Sequence, residues 1–170
     1  MNIFIMRHGQ AALQASNDAL RPLTEQGCEE VCLMAQWLAP QVPAFDRVLV
    51  SPYVRSQQTW QQLSRFIAGS RVEYCDELLP DADADITASL LLAYGGPEQD
   101  QNLLVVSHMP LVGFLVESLC PGTLAPVFVT AGVAKITLDK GHGGLFNWLE
   151  GPHSIRPYHP RPWPLCGSMG

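Results

Sequence analysis

The sequence predicts an α/β fold, a three-layer sandwich with helices on both faces of a mostly parallel central sheet and a C-terminal hairpin. Three observations carry this expectation. Short apolar or β-branched runs alternate with segments whose apolar residues recur at helical spacing. The run 102–106 (Asn-Leu-Leu-Val-Val) is apolar without alternation, as a strand buried on both faces of a parallel sheet must be. Two further runs, 133–138 and 145–149, flank a glycine-containing turn at 140–144 and read as a hairpin.

Taken in order, residues 2–6 form the first strand. Thr24 is placed to cap a helix, and Cys28, Val31, Met34, Ala35 and Leu38 then recur at helical spacing until Pro40 ends the pattern. A second strand, 47–50, runs into Ser51-Pro52, a capping residue followed by proline at the first helical position. That helix reaches about Ile67. Residues 72–75 make a weak third strand, and an acidic loop, 76–85, leads to a short helix around 86–94 that Gly95-Gly96-Pro97 terminates. After the strand 102–106, Pro110 opens a helix to Leu119. Residues 1–150 are thus expected to form one domain. The last twenty residues hold five of the 14 prolines and no acidic residue, so 151–170 reads as an extended Pro-rich tail, whose Trp163 either docks on the body, docks on a partner or stays disordered.

The 170 residues suffice for one ordinary core, and 47% hydrophobic with 15% charged residues excludes a disordered chain. Ten basic and 16 acidic side chains give a net charge of −6, and residues 1–150 alone carry −8. With two lysines, Lys135 and Lys140, the chain has no basic stripe to follow a nucleic-acid backbone. The longest apolar runs, such as 90–94, fall far short of the roughly 20 residues of a membrane-spanning helix. The N-terminus MNIFIMRHG has no basic region ahead of its apolar residues, so no secretory signal is expected. Five scattered cysteines do not form an oxidised framework, and the expectation is a reduced, cytoplasmic protein, acting as a monomer. Cys28 and Cys32 share a helix face, but no further ligand completes a metal set, so they read as core and no metal or cofactor is expected.

In an open α/β sheet, ligands bind beyond the carboxyl ends of the strands. The first predicted strand ends in Arg7-His8-Gly9, the second in Ser51-Pro52 with Arg55 one helical turn on, and the fourth in Ser107-His108. Parallel neighbours would therefore bring two arginines and two histidines to one crevice. Guanidinium forks match phosphoryl oxygens, and a deprotonated imidazole is a competent nucleophile whose pKa adjacent arginines lower. The constellation suits transfer of a phosphoryl group to one histidine, with a covalent intermediate that water cleaves. The other histidine, protonated, would neutralise developing charge, and the backbone N–H of Met109 adds a donor at a helix start. Gly9 lets the backbone approach an anion closely.

The run Ile5-Met6-Arg7-His8-Gly9, the block from Leu49 through Ser51-Pro52 and Arg55 to Thr59, and Val105-Val106-Ser107-His108 resemble the motifs of the histidine phosphatase superfamily, which includes the cofactor-dependent phosphoglycerate mutases. Arg21-Pro22-Leu23-Thr24, the segment from His108 to Gly113 and Phe146-Asn147-Trp148 are similar to the small bacterial phosphohistidine phosphatases within it. The resemblance implies a phosphoglycerate mutase-like fold and a metal-independent phosphatase. It implies His8 as phosphoryl acceptor, Arg7 and Arg55 on the phosphoryl oxygens, His108 completing the pocket, and Arg21 as a further phosphate or substrate contact. Many relatives place a general acid in the loop after the third strand. Here Glu77 and Asp81 are the candidates, and a solvated acidic loop is the equal alternative.

The resemblance also implies the substrate, a phosphohistidine-bearing protein such as a histidine phosphotransfer domain or a phosphocarrier. An imidazole leaves more readily than an alkoxide, so a dedicated acid matters less. The alternatives are a small-molecule phosphomonoesterase or mutase using the same histidine, and a non-catalytic phosphohistidine-binding module.

Overall fold

The computed structural model describes residues 1–95, 101–139, 141 and 143–155. Its six-stranded sheet is built from β1 (Asn2–Arg7), β2 (Arg47–Val50), β3 (Val72–Tyr74), β4 (Asn102–Ser107), β5 (Val133–Asp139) and β6 (Gly143–Glu150). The spatial order is β3-β2-β4-β1-β5-β6. The first four are parallel, whereas β5 runs antiparallel to β1 and pairs with β6 as the expected hairpin. A two-residue parallel ladder, Ala44–Phe45 with Ala68–Gly69, lies outside this sheet.

Side-chain alternation divides the core into two layers. Phe4 and Met6 of β1 join Val48, Val50, Leu104 and Val106 beneath α1 (Glu25–Leu38) and α2 (Val54–Leu63). Ile3 and Ile5 join Leu49, Leu103, Val105 and Ile136 beneath α3 (Ala84–Ala93) and α4 (Leu111–Leu119). The period of two along β1 and β4 therefore feeds both helical layers, which is why those strands are apolar throughout.

The helix boundaries follow local chemistry, with one departure. The Thr24 side chain accepts the Gly27 N–H at 3.0 Å and caps α1 as expected. The Asp83 carboxylate caps α3, accepting from the Asp85 and Ile86 amides. Ser51, expected to cap the second helix, does not. Tyr53 occupies the cap position, the helix ends at Leu63 instead of near Ile67, and the Ser51 hydroxyl is engaged elsewhere.

The start of the expected tail belongs to the body. Pro152–Ile155 form a helical turn, and Ile155 is buried in the layer under α1. Trp163, Gly96, Pro97 and Lys140 lie outside the described residues. Among the described residues Cys28, Cys75 and Cys120 are free thiols. Among the described residues no helix is long and apolar enough to cross a membrane.

Candidate active site

Strand register alone assembles the site. Arg7 of β1 pairs with Ser107 of β4, so His8 and His108 leave neighbouring strands at the same level. The His8 amide bonds the Ser107 carbonyl at 3.0 Å, and the two imidazole rings lie 5.1 Å apart, close to the spacing of adjacent strands. Val50 of β2 pairs with Val106, which sets Ser51 beside His108 on the other side. Arg55 enters from the first turn of α2. All four of Arg7, His8, Arg55 and His108, predicted from three separate strand ends, meet at the carboxyl edge of the sheet.

The His8 ring is buried, with 7% of its surface exposed. Its Nδ1 lies 2.7 Å from the Gly9 carbonyl and its Nε2 lies 3.3 Å from Nε of Arg55. Burial pushes the imidazole down to about 4, and Arg55, Arg7 and Arg21 push the same way against the bond to Gly9. The free site therefore holds neutral His8 at physiological pH, with an unprotonated nitrogen facing the arginine.

Both guanidinium groups are anchored. Arg7 Nη1 donates to the Phe128 carbonyl at 2.7 Å. Burial lowers its pKa, Glu30 opposes that shift and Arg55 adds to it. Arg55 donates from Nη1 to the Asp18 carbonyl at 2.7 Å and from Nη2 to the Asp18 carboxylate at 3.1 Å. Arg21 donates to the same carboxylate at 2.8 Å and through Nε to the Ala12 carbonyl at 2.6 Å. The Arg21 bond holds Asp18 below the usual carboxylate range, with Arg55 contributing. Asp18 thus ties Arg21 to the site. An open depression of about 430 Å³ lined by Leu13, Gln14, Ala15, Asn17, Asp18 and Arg21 adjoins this pair.

His108 is more deeply buried, at 1% exposure, and burial pushes its imidazole down to about 2. In the free site His108 is therefore neutral: buried and close to cationic Arg55 and Arg7, it disfavours a further positive charge. Its Nε2 contacts the Ser51 hydroxyl at 2.7 Å. His108 Nδ1 and Arg7 Nε are buried polar atoms without a partner among the described residues. Two unfilled polar atoms on side chains flanking His8 match an anion that brings its own acceptors.

The other expected residues are less closely joined to this cluster. Met109 lies between His108 and Pro110, and among the described residues its amide makes no backbone bond at the start of α4. Glu77 and Asp81 are exposed, and among the described residues no hydrogen bond or ion pair links either carboxylate to the four-residue cluster. Their loop does approach, since the Ser107 hydroxyl bonds the Leu78 carbonyl at 2.7 Å.

The structure adds supports that sequence reading did not single out. Thr59 accepts the Gly9 amide at 3.1 Å and donates to the Arg55 carbonyl at 2.7 Å, locking the histidine loop to α2. Glu30, buried on α1, accepts from the Gln10 amide at 3.2 Å and the Thr130 hydroxyl at 2.8 Å. Thr59 stands four residues after Arg55, a spacing that puts both on one helix face and could have revealed it.

A neutral, buried imidazole flanked by anchored arginines and partnerless polar atoms is a site for moving a phosphoryl group through histidine. The chain belongs to the histidine phosphatase superfamily. The sequence model of branch 1 of that superfamily matches residues 3–79. The chain is 44% identical over 157 residues to the phosphohistidine phosphatase SixA of Escherichia coli K12, covering 92% of this chain and 97% of that protein. It is 36% identical over 148 residues to a SixA homolog of Haemophilus influenzae, covering 82% and 89%. A solved structure of the protein histidine phosphatase SixA complexed with tungstate superposes with a TM-score of 0.86 at 44% identity, covering 91% of this chain and 99% of that one. The α/β sandwich is therefore the fold of this family.

Proposed function

We propose that this chain is a metal-independent phosphatase that removes phosphoryl groups from phosphohistidine-bearing proteins, with His8 as the covalent acceptor. The observation that carries the reading is the His8 geometry: with its proton on Nδ1, held by the Gly9 carbonyl, the ring turns its Nε2 lone pair toward Arg55 as the nucleophile. The 44% identity to a phosphohistidine phosphatase over 92% of the chain supports the substrate class.

In the first step the Nε2 lone pair attacks phosphorus and the bond from phosphorus to the substrate imidazole breaks. The bonding pair stays on the departing nitrogen. Protonated on its distal nitrogen, that ring leaves as neutral imidazole, so no carboxylic acid of this chain is required. Arg7 and Arg55 bind the phosphoryl oxygens as charge builds on them. In the second step water attacks phospho-His8, the P–N bond breaks, and inorganic phosphate and free His8 result.

An open depression beside Arg21 leaves room for a side chain projecting from another protein. Arg21 contacts the phosphoryl group or the chain around it, and the Met109 amide supplies a further donor. The protein acts as a monomer in the cytoplasm on a histidine phosphotransfer domain or a phosphocarrier.

The test is a parallel assay on a phosphohistidine protein and on simple alkyl phosphate esters. Phosphate release from the first, slow turnover of the second and loss of activity in His8→Ala are expected. Full turnover by His8→Ala would overturn the mechanism. Preference for alkyl esters, with strong dependence on Glu77 or Asp81, would instead assign a phosphomonoesterase.

A further inference from the structure

We propose that Ser51 is a positioning residue that fixes the tautomer of His108, placing the proton on Nδ1 as a donor to a phosphoryl oxygen. This rests on the phosphoryl-transfer reading of the site.

Ser51 and His108 are both sealed from solvent, at 0% and 1% exposure, and Ser51 Oγ lies 2.7 Å from Nε2. Which atom donates follows from the surrounding bonds. Ser51 Oγ also accepts the Tyr53 amide, at 3.4 Å, and the hydroxyl proton finds no acceptor among the described residues other than Nε2. If the ring donated instead, the buried hydroxyl proton would have no acceptor among the described residues, and Nδ1 would be a bare lone pair. A lone pair there would repel the oxygens of any anion bound between the arginines. With the hydroxyl donating, Nε2 is satisfied and the ring proton sits on Nδ1, buried and without an acceptor in the free site. That matches Arg7 Nε, the other buried donor left open.

Two neighbours strengthen the arrangement. Ser56, 0% exposed on α2, holds its hydroxyl 3.4 Å from the same Nε2, a second hydroxyl beside that nitrogen. The Tyr53 ring packs edge-on against His108, with centroids 5.2 Å apart, and fixes the ring plane. Thus Ser51, which in sequence reads as a helix cap, gives up that role to the histidine. A neutral His108 can then still stabilise phosphoryl charge, as a hydrogen-bond donor.

The experiment is long-range proton–nitrogen correlation NMR of the full chain labelled at histidine, which reports which ring nitrogen is bare. The expected result is His108 with bare Nε2 and protonated Nδ1, the Nδ1 resonance moving when inorganic phosphate is added. In Ser51→Ala/Ser56→Ala the tautomers should mix and kcat should fall about 10- to 100-fold with little change in KM, while Ser51→Thr preserves both. A proton on Nε2 in the wild type, or an unchanged tautomer in the double variant, would overturn the proposal. The wild-type spectrum decides the matter even if the double variant does not fold. Failure of the wild type to release phosphate from a phosphohistidine protein would be a separate result, refuting the proposed function.

Discussion

Arg55 Nε stands 3.3 Å from His8 Nε2, and only the arginine can be the donor across that gap. The imidazole must therefore offer its lone pair at Nε2 and carry its proton on Nδ1, where the Gly9 carbonyl accepts it at 2.7 Å. One arginine from α2 and one backbone carbonyl from the next residue thus decide which nitrogen attacks. Because Arg55 also bonds Asp18 through Nη1 and Nη2, its guanidinium plane is fixed before any substrate arrives.

Arg55→Lys should therefore be a severe change. A lysine ammonium cannot meet His8 and both oxygens of Asp18 from one rigid plane. Loss of a preorganised donor in such sites lowers turnover by about 10²–10³-fold. Steady-state kinetics on a phosphohistidine protein should show a loss of that order, with an unchanged circular dichroism spectrum. A loss under about threefold would mean that Arg55 does not act on the phosphoryl group.

The depressed histidines also set a pH dependence. Unfolded His8 takes up a proton near 6.5, whereas the folded ring resists until about 4, and His108 until about 2. Between those values the unfolded state binds more protons, so stability falls as pH drops and is intact above 6.5. From pH 7 to pH 5 the two rings together should cost about 4 kcal/mol, about half of it lost in His8→Ala. Urea unfolding at the two pH values measures this, and NMR titration of the His8 ring should give an inflection near 4. An inflection at the ordinary imidazole value would contradict the buried, arginine-flanked geometry.

How much of this was legible in the sequence depended on whether the signal was local. The α/β class, the Thr24 cap and the convergence of Arg7, His8, Arg55 and His108 follow from strand ends and parallel pairing. Ser51 misled because Ser-Pro before a helix reads as a cap, while its partner is 57 residues away in sequence. Asp18 was silent for a similar reason: an acidic residue in a polar loop carries no periodicity, and its bond to Arg55 spans 37 residues. The lowered pKa of His108 in the free site was not legible, because burial, which dominates its shift, is a property of the assembled layers.

Gly27 offers a test of how the His8 loop is seated. A Cβ at Gly27 would collide with the Gln10 carbonyl, and one at Gly9 would lie 2.7 Å from the Gly27 carbonyl. The loop after β1 therefore rests backbone-to-backbone on the first turn of α1. Gly27→Ala should destabilise the protein by about 1–3 kcal/mol despite alanine's better helix propensity, because the loop must shift. Thermal unfolding decides between the two effects. A higher Tm would show that propensity wins and that the loop is not clamped there.

Asp18 sets two effects against each other in the same pocket. Its carboxylate subtracts one charge from a site holding Arg7, Arg21 and Arg55, and it also aims Arg55. The two roles separate by substitution. Asp18→Asn removes the charge and keeps one carbonyl oxygen, which can accept from Arg55 or from Arg21 but not from both as the two carboxylate oxygens do, whereas Asp18→Ala removes the charge and both side-chain acceptors. Because the Asp18 side chain is 54% exposed, its charge is screened, and its removal in Asp18→Asn should tighten competitive inhibition by inorganic phosphate only a few-fold. Asp18→Ala should cost turnover by about tenfold, since at residue 18 Arg55 keeps only its bond to the main-chain carbonyl and is aimed less firmly at the phosphoryl group. Inhibition constants and kcat for the two variants, measured at one low salt concentration, test the pair. Weaker phosphate inhibition in Asp18→Asn would show that aiming the arginine outweighs the charge. Unchanged kcat in Asp18→Ala would show that Arg55 is held by the remaining contacts alone.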